Sequence, residues 1–270
     1  MLKIDSSEIT LDFLKKVGKE PFIISHENED FYFKINLKLS TDKLVIHNNG
    51  AVDFSVKRPP VFQRSTWGKN INATSIFVDD RTIHNTGDDK FATGWLLGSK
   101  DRYFALDYSF IIKKIQKEMM IENRNVYYWG SSAGGTASII LATLHKGSTA
   151  IANNPQTNLL KSSKRNAILR NVFPNMSESD VLREYGDRIL IHELMKQENY
   201  TPRLFYIQNK AHLPDMDKHA NPFMQELYNS ELDVEKVTFW FYHDKVRGHA
   251  PLITDKTLEY LNTIINYHHL

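Results

Sequence analysis

The sequence predicts an α/β fold with a mainly parallel central sheet flanked by helices, and three observations carry that prediction. Short β-prone runs alternate with helix-prone ones through the second half of the chain, the rhythm of parallel strands joined by crossover helices. The stretch NVYYWGSSAGGTASIILATLHK (125–146) sets a β-prone run directly against a helical one across a turn of Ser and Gly. The 270 residues, 41% hydrophobic and 24% charged, suffice for one large core and lie close to the globular norm.

The elements follow in order. Residues 1–28 read as a helical extension: Asp5 and Glu8 stand at capping-box spacing, Ile9, Phe13, Leu14 and Val17 form an apolar stripe, and Gly18 ends it. FYFKINLKL (31–39) alternates like a half-buried strand, KLVIHNNGA (43–51) is a strand running into a turn, and TSIFVDD (74–80) is β-like. DYSFIIKKIQKEMMI (107–121) reads as a helix, 125–130 as a strand, 133–146 as a helix and STAIANNP (148–155) as a strand. RLFYIQN (203–209) and KVTFWFYHD (236–244) are the clearest later strands, each followed by a helical stretch, 219–229 and 254–267. Between them, 158–200 holds only helix-like pieces, with Ser177 and Asp180 placed to cap one. It is either a lid over the ligand end of the sheet or a packing helix pair. No repeat or linker divides the chain, so 1–270 reads as a single domain.

Composition narrows the chemistry. With no cysteine there is no disulfide scaffold, thiolate metal site or cysteine nucleophile. A net charge of +2 does not call for a nucleic-acid partner, and no apolar run approaches membrane-spanning length. Charges interrupt the first 22 residues throughout, unlike a signal peptide, so a cytoplasmic location is expected.

Gly130, Ser132 and Gly134 form G-x-S-x-G between strand and helix, the setting a nucleophile elbow requires. The turn is so tight that residues two before and two after the serine crowd each other, which favours Gly at both. Ser131 has Trp129 and Ala133 at those positions, so Ser132 is the candidate nucleophile. The same glycines do not make a phosphate loop, because Thr136 follows Gly135 where a lysine is needed. A serine needs a base. His249, in the Arg247-Gly248-His249-Ala250-Pro251 loop after the last strand, is the candidate. His243 falls at a strand end, and His268 and His269 are terminal. The acid should follow the preceding strand, where Asp215 is preferred and Asp217 is the alternative. Asp244 lies close to His249 in sequence, an unusual source. Oxyanion donors are expected from the N–H of Ala133 and from Gly50 and Ala51 in the His47–Ala51 turn, or from the side chains of Asn48 or Asn49. His212, Asp215, Asp217 and His219 crowd together but match no standard zinc spacing, so neither metal nor cofactor is expected. Trp67 and Trp95 are candidates for stacking on a sugar, and KSSKR (161–165) reads as a solvated face.

The HNNGA turn (47–51), the YYWGSSAGG elbow (127–135), ANNPQTNL (152–159), YIQN (206–209) and RGHAPL (247–252) together resemble the α/β hydrolases. More narrowly they resemble the serine hydrolase-like proteins of bacterial capsular-polysaccharide biosynthesis and accessory secretion systems. The resemblance implies an α/β-hydrolase fold and an acyl-enzyme route using Ser132, His249 and Asp215, acting on a small acyl ester or a glycan as an esterase or acetyltransferase. A serine peptidase and a non-catalytic glycan- or protein-binding member of the fold are the rival readings. Neither substrate nor oligomeric state follows from the sequence.

Overall fold

The computed structural model describes residues 1–84 and 91–267; His268 and His269 lie outside them. Nine strands form one sheet: β1 (Leu2–Asp5), β2 (Phe22–His26), β3 (Glu29–Asn36), β4 (Leu44–Asn48), β5 (Thr74–Val78), β6 (Val126–Ser131), β7 (Thr149–Asn153), β8 (Arg203–Asn209) and β9 (Val237–Tyr242). Their spatial order is β1-β2-β3-β5-β4-β6-β7-β8-β9. β3 runs antiparallel to both neighbours and every other pairing is parallel. β4 to β7 are buried along their whole length, as strands covered on both faces must be.

The helices are α1 (Leu11–Val17), α2 (Phe104–Glu118), α3 (Ala133–Leu144), α4 (Arg165–Asn171), α5 (Glu178–Ile189), α6 (Ile191–Glu198), α7 (Leu213–Asp215), α8 (Asn221–Asn229) and α9 (Thr254–Tyr267). α3 is buried at every residue. It packs against the sheet and is flanked by α2 and α6. On the opposite face, Leu261, Ile264 and Ile265 of α9 close over Val45, Trp129, Ile151 and Ile207.

The structure corrects one reading of the sequence and describes the segment at 158–200 that another left open. Residues 1–28 are not simply a helical extension, because β1 and β2 flank α1 and join the main sheet. Their apolar alternation is short and β1 lies at an exposed edge, so it leaves little periodic signal. Asp5 caps a short 3₁₀ turn rather than α1, whose N-cap is Thr10, accepting from the Phe13 N–H. Gly18 does end α1, at φ 61°. The insertion at 158–200 is helical, and Ser177 caps α5 by accepting from the Asp180 N–H. Ile189, Ile191, Leu194 and Met195 are buried in the main core, which makes the insertion a packed layer beside α3.

Candidate active site

The elbow forms because side chains are absent where backbones meet. A Cβ on Gly130 would overlap the Gly134 backbone, and one on Gly134 would overlap the carbonyl oxygen of Asn48 at the end of β4. That crowding leaves Ser132 at φ 53° and ψ −124°, a region L-residues avoid, at the N-terminus of α3. Ser132 Oγ accepts no capping hydrogen bond from its own helix, and its hydroxyl is free to face His249.

Nε2 of His249 lies 2.8 Å from Ser132 Oγ, and Nδ1 lies 2.6 Å from Asp215 Oδ2. With Asp215 ionised, Nδ1 carries the proton and Nε2 is left to accept from the serine hydroxyl, a tautomer assigned from this network. Burial alone would raise the Asp215 carboxyl. The His249 hydrogen bond, with the charges of His249, His212 and His219, outweighs it and holds the group below the usual carboxylate range. Asp217 is exposed and makes no hydrogen bond among the described residues. Ser131 is also placed away from the base: its Oγ accepts from Arg64 at 2.9 Å.

His212, which the sequence places in the crowded His212–His219 cluster, lies beside the candidate acid. Its Nδ1 is 3.0 Å from the same Asp215 oxygen, though off hydrogen-bonding geometry. The ligand atoms of His212, Asp215 and His249 lie within 4.8 Å of one another, one of two such groupings among the described residues, and Asp217 and His219 are not part of it. Burial lowers the buried His219 to about 4, so it is neutral at neutral pH.

A set of asparagines that the spacing of motifs did not reveal holds the base in place. Asn209, at the end of β8, donates through Nδ2 to the carbonyls of Asp244 (2.7 Å) and Gly248 (2.8 Å). Its Oδ1 accepts from the N–H groups of Ala211 (3.1 Å) and Asp244 (3.0 Å). Asn154 donates to the His249 carbonyl at 3.0 Å, and Asn153 accepts from the Leu252 N–H at 2.9 Å. Asp244 caps the turn at 244–248, accepting from Val246 and Arg247. Its role is therefore to shape the loop that carries His249.

At the expected oxyanion site the turn after β4 lies on the elbow: a Cβ at Gly50 would sit 3.3 Å from the Ser131 carbonyl oxygen. The N–H groups of Ala133 and Ala51 have no acceptor among the described residues. Gly50 differs, since its N–H donates to Gln63 Oε1 at 3.0 Å. Asn48 donates through Nδ2 to Ser138 Oγ and Asn49 to the Val61 carbonyl, which commits one of the two N–H groups of each side-chain amide. Trp95 is buried at 1% exposure with its indole N–H on Gln156, which rules it out as a sugar platform. Trp67 is half-buried and lies against Arg64 and Trp129.

No protein-family model matches the sequence, and no curated protein matches it. Solved structures do. The capsule O-acetyltransferase of Neisseria meningitidis serogroup A is similar at a TM-score of 0.61 and 14% identity, over 90% of this chain and 93% of that one. An S-formylglutathione hydrolase from Agrobacterium tumefaciens is similar at 0.58 and 13%, over 92% and 91%. An acylaminoacyl peptidase from Pyrococcus horikoshii is similar at 0.61 and 12%, over 96% of this chain and 43% of that one. The chain has the α/β-hydrolase fold.

Proposed function

We propose that this chain is a serine esterase or acyltransferase. The observation that carries the reading is the hydrogen-bond chain from Ser132 Oγ through His249 to Asp215, at 2.8 and 2.6 Å. Ser132 Oγ attacks an ester carbonyl carbon as its proton passes to His249 Nε2. The N–H groups of Ala133 and Ala51 receive the oxyanion, and Gly50 adds a third donor when Gln63 moves off it. Collapse of the tetrahedral intermediate breaks the ester C–O bond, and His249 returns the proton to the leaving oxygen. Water or a sugar hydroxyl then gives its proton to His249 and attacks the acyl-enzyme, and the second collapse reprotonates Ser132.

The likeness to a capsule O-acetyltransferase and to a thioester hydrolase supports a small acyl group, acetyl, carried on or delivered to a glycan. A fluorophosphonate probe should label the wild type and Ser131→Ala but not Ser132→Ala. p-Nitrophenyl acetate should turn over faster than the octanoate or palmitate ester. Labelling that persists in Ser132→Ala removes the nucleophile assignment, and a preference for long chains removes the acetyl reading alone. A folded protein with neither labelling nor esterase activity favours the binding-module reading.

A further inference from the structure

Arg64 stands in the loop between β4 and β5, and no step above uses it. Its guanidinium lies over the Trp129 ring at 4.8 Å and the Trp67 ring at 5.5 Å. Nη2 donates to Ser131 Oγ at 2.9 Å and Nη1 to Gln63 Oε1 at 3.2 Å. Ser131 immediately precedes the candidate nucleophile, and the same Gln63 oxygen accepts the Gly50 N–H. The cation is thus one residue from the reaction centre on both sides.

Its surroundings lack a counter-ion. No carboxylate lies within ion-pair distance of Arg64 among the described residues, and its remaining three N–H groups find no acceptor there. Its backbone sits at φ 60°, an uncommon conformation for a long side chain and one that persists only where the surroundings impose it. Burial brings the guanidinium down to about 10, which leaves it charged at neutral pH. Half-buried Arg64 and its neighbour Gln63 are among the residues lining a cavity of about 350 Å³, with Val52, Val61 and Phe62. Lys57 is a second basic residue in the lining, and Asp53, also in the lining, is already engaged by the N–H and hydroxyl of Ser55.

We propose that the Arg64 cavity is an anion subsite, taking a carboxylate or phosphate group on the acyl donor or the acyl acceptor. Both anions present the paired oxygens that a guanidinium fork grips, and a planar fork packed against two mutually contacting indoles loses little freedom on binding. This inference rests on Ser132 being the acyl-transfer centre.

Two measurements on the full chain test it. Trp67 and Trp129 both lie against the guanidinium, so inorganic phosphate should change the intrinsic fluorescence saturably in the wild type and not in Arg64→Met. Hydrolysis of 4-acetoxybenzoate, which is anionic, is compared with that of neutral p-nitrophenyl acetate. The ratio of their kcat/KM values should fall about 10- to 100-fold in Arg64→Met, with Arg64→Lys in between. Equal loss on both esters, or an unchanged ratio, overturns the subsite and leaves Arg64 as a brace for Ser131. Competition by adenosine 3′,5′-bisphosphate assigns the anion to a nucleotide-borne donor, and competition by glucuronate assigns it to an acidic sugar acceptor. A phosphate response without hydrolysis of either ester preserves the subsite and removes the esterase reading, so the two fail separately.

Discussion

Asp215 and Asp217 are two residues apart, yet only one can orient His249. The difference is set by where a single helical turn points after β8. Asp215 is buried with its Oδ2 on His249, whereas Asp217 is exposed. In the proposed mechanism an ionised Asp215 fixes the productive tautomer and stabilises the imidazolium formed during attack, which a neutral amide cannot do. Asp215→Asn is therefore expected to lower kcat by about 10³- to 10⁴-fold with the fold intact, while Asp217→Asn changes it less than about threefold. Circular dichroism of both variants with steady-state kinetics checks this, and the reverse ranking would move the role to Asp217. Strand ends and chain order brought both aspartates into consideration. Choosing between them needed the backbone path of α7, which no spacing rule supplies.

At the scale of elements, the site is a set of loops pinned to strand ends. Ser132, Asp215 and His249 follow β6, β8 and β9, and the turn that meets them follows β4. Asn209 ties two of these loops together, with its Oδ1 on the acid side at Ala211 and its Nδ2 on the base side at Asp244 and Gly248. Asn209 is fully buried, so truncation leaves several backbone groups without partners. Asn209→Ala should cost about 3 kcal/mol or more of stability and reduce kcat further than it raises KM, because loop geometry rather than ground-state binding is lost. Denaturant titration and kinetics read the two effects separately. A variant with full stability and full kcat would show that the clamp is dispensable. The strands that carry these loops were legible because buried parallel strands write continuous apolar runs, as in β6 to β8. Asn153, Asn154 and Asn209 were visible only as parts of ANNPQTNL and YIQN, since a hydrogen bond across about a hundred residues of chain has no local periodicity. Arg64 was silent for the same reason.

Taken as a whole, the molecule buries three neutral histidines away from water. Burial lowers His47 to about 3, His145 to about 4 and His219 to about 4. His47 leaves both ring nitrogens unpartnered, stacked on Phe77 at 4.5 Å. In the unfolded chain each binds a proton near its ordinary 6.5, so below that pH the unfolded state takes up more protons than the native one. Stability is then fully present above about pH 6.5 and is lost as pH falls towards 4, at up to about 1.4 kcal/mol per unit for each histidine. Asp80, whose carboxyl is raised by burial, acts in the opposite sense over its own range. Unfolding free energy measured against pH should be flat near neutrality and fall steeply between about pH 6 and 4. His47→Phe should reduce that slope by about 1.4 kcal/mol per unit. An unchanged slope would place the acid sensitivity elsewhere.

The strand order also sets a timetable for the growing polypeptide. β4 leaves its place beside β6 empty until residues 126–131 are made, and α9 is the last described element to emerge. Before it does, Val45, Trp129, Ile151 and Ile207 present a bare apolar face. Synthesis from the N-terminus thus delivers Ser132 before its hydrogen-bond partner His249, which lies 117 positions later in the chain. For most of translation the chain is a sheet in search of its cover, slow to close because its pairings are distant in sequence and exposed to aggregation while it waits. A chain truncated before α9 is accordingly expected to bind a dye for exposed apolar surface and to aggregate faster than the full chain, which fluorescence and light scattering would check.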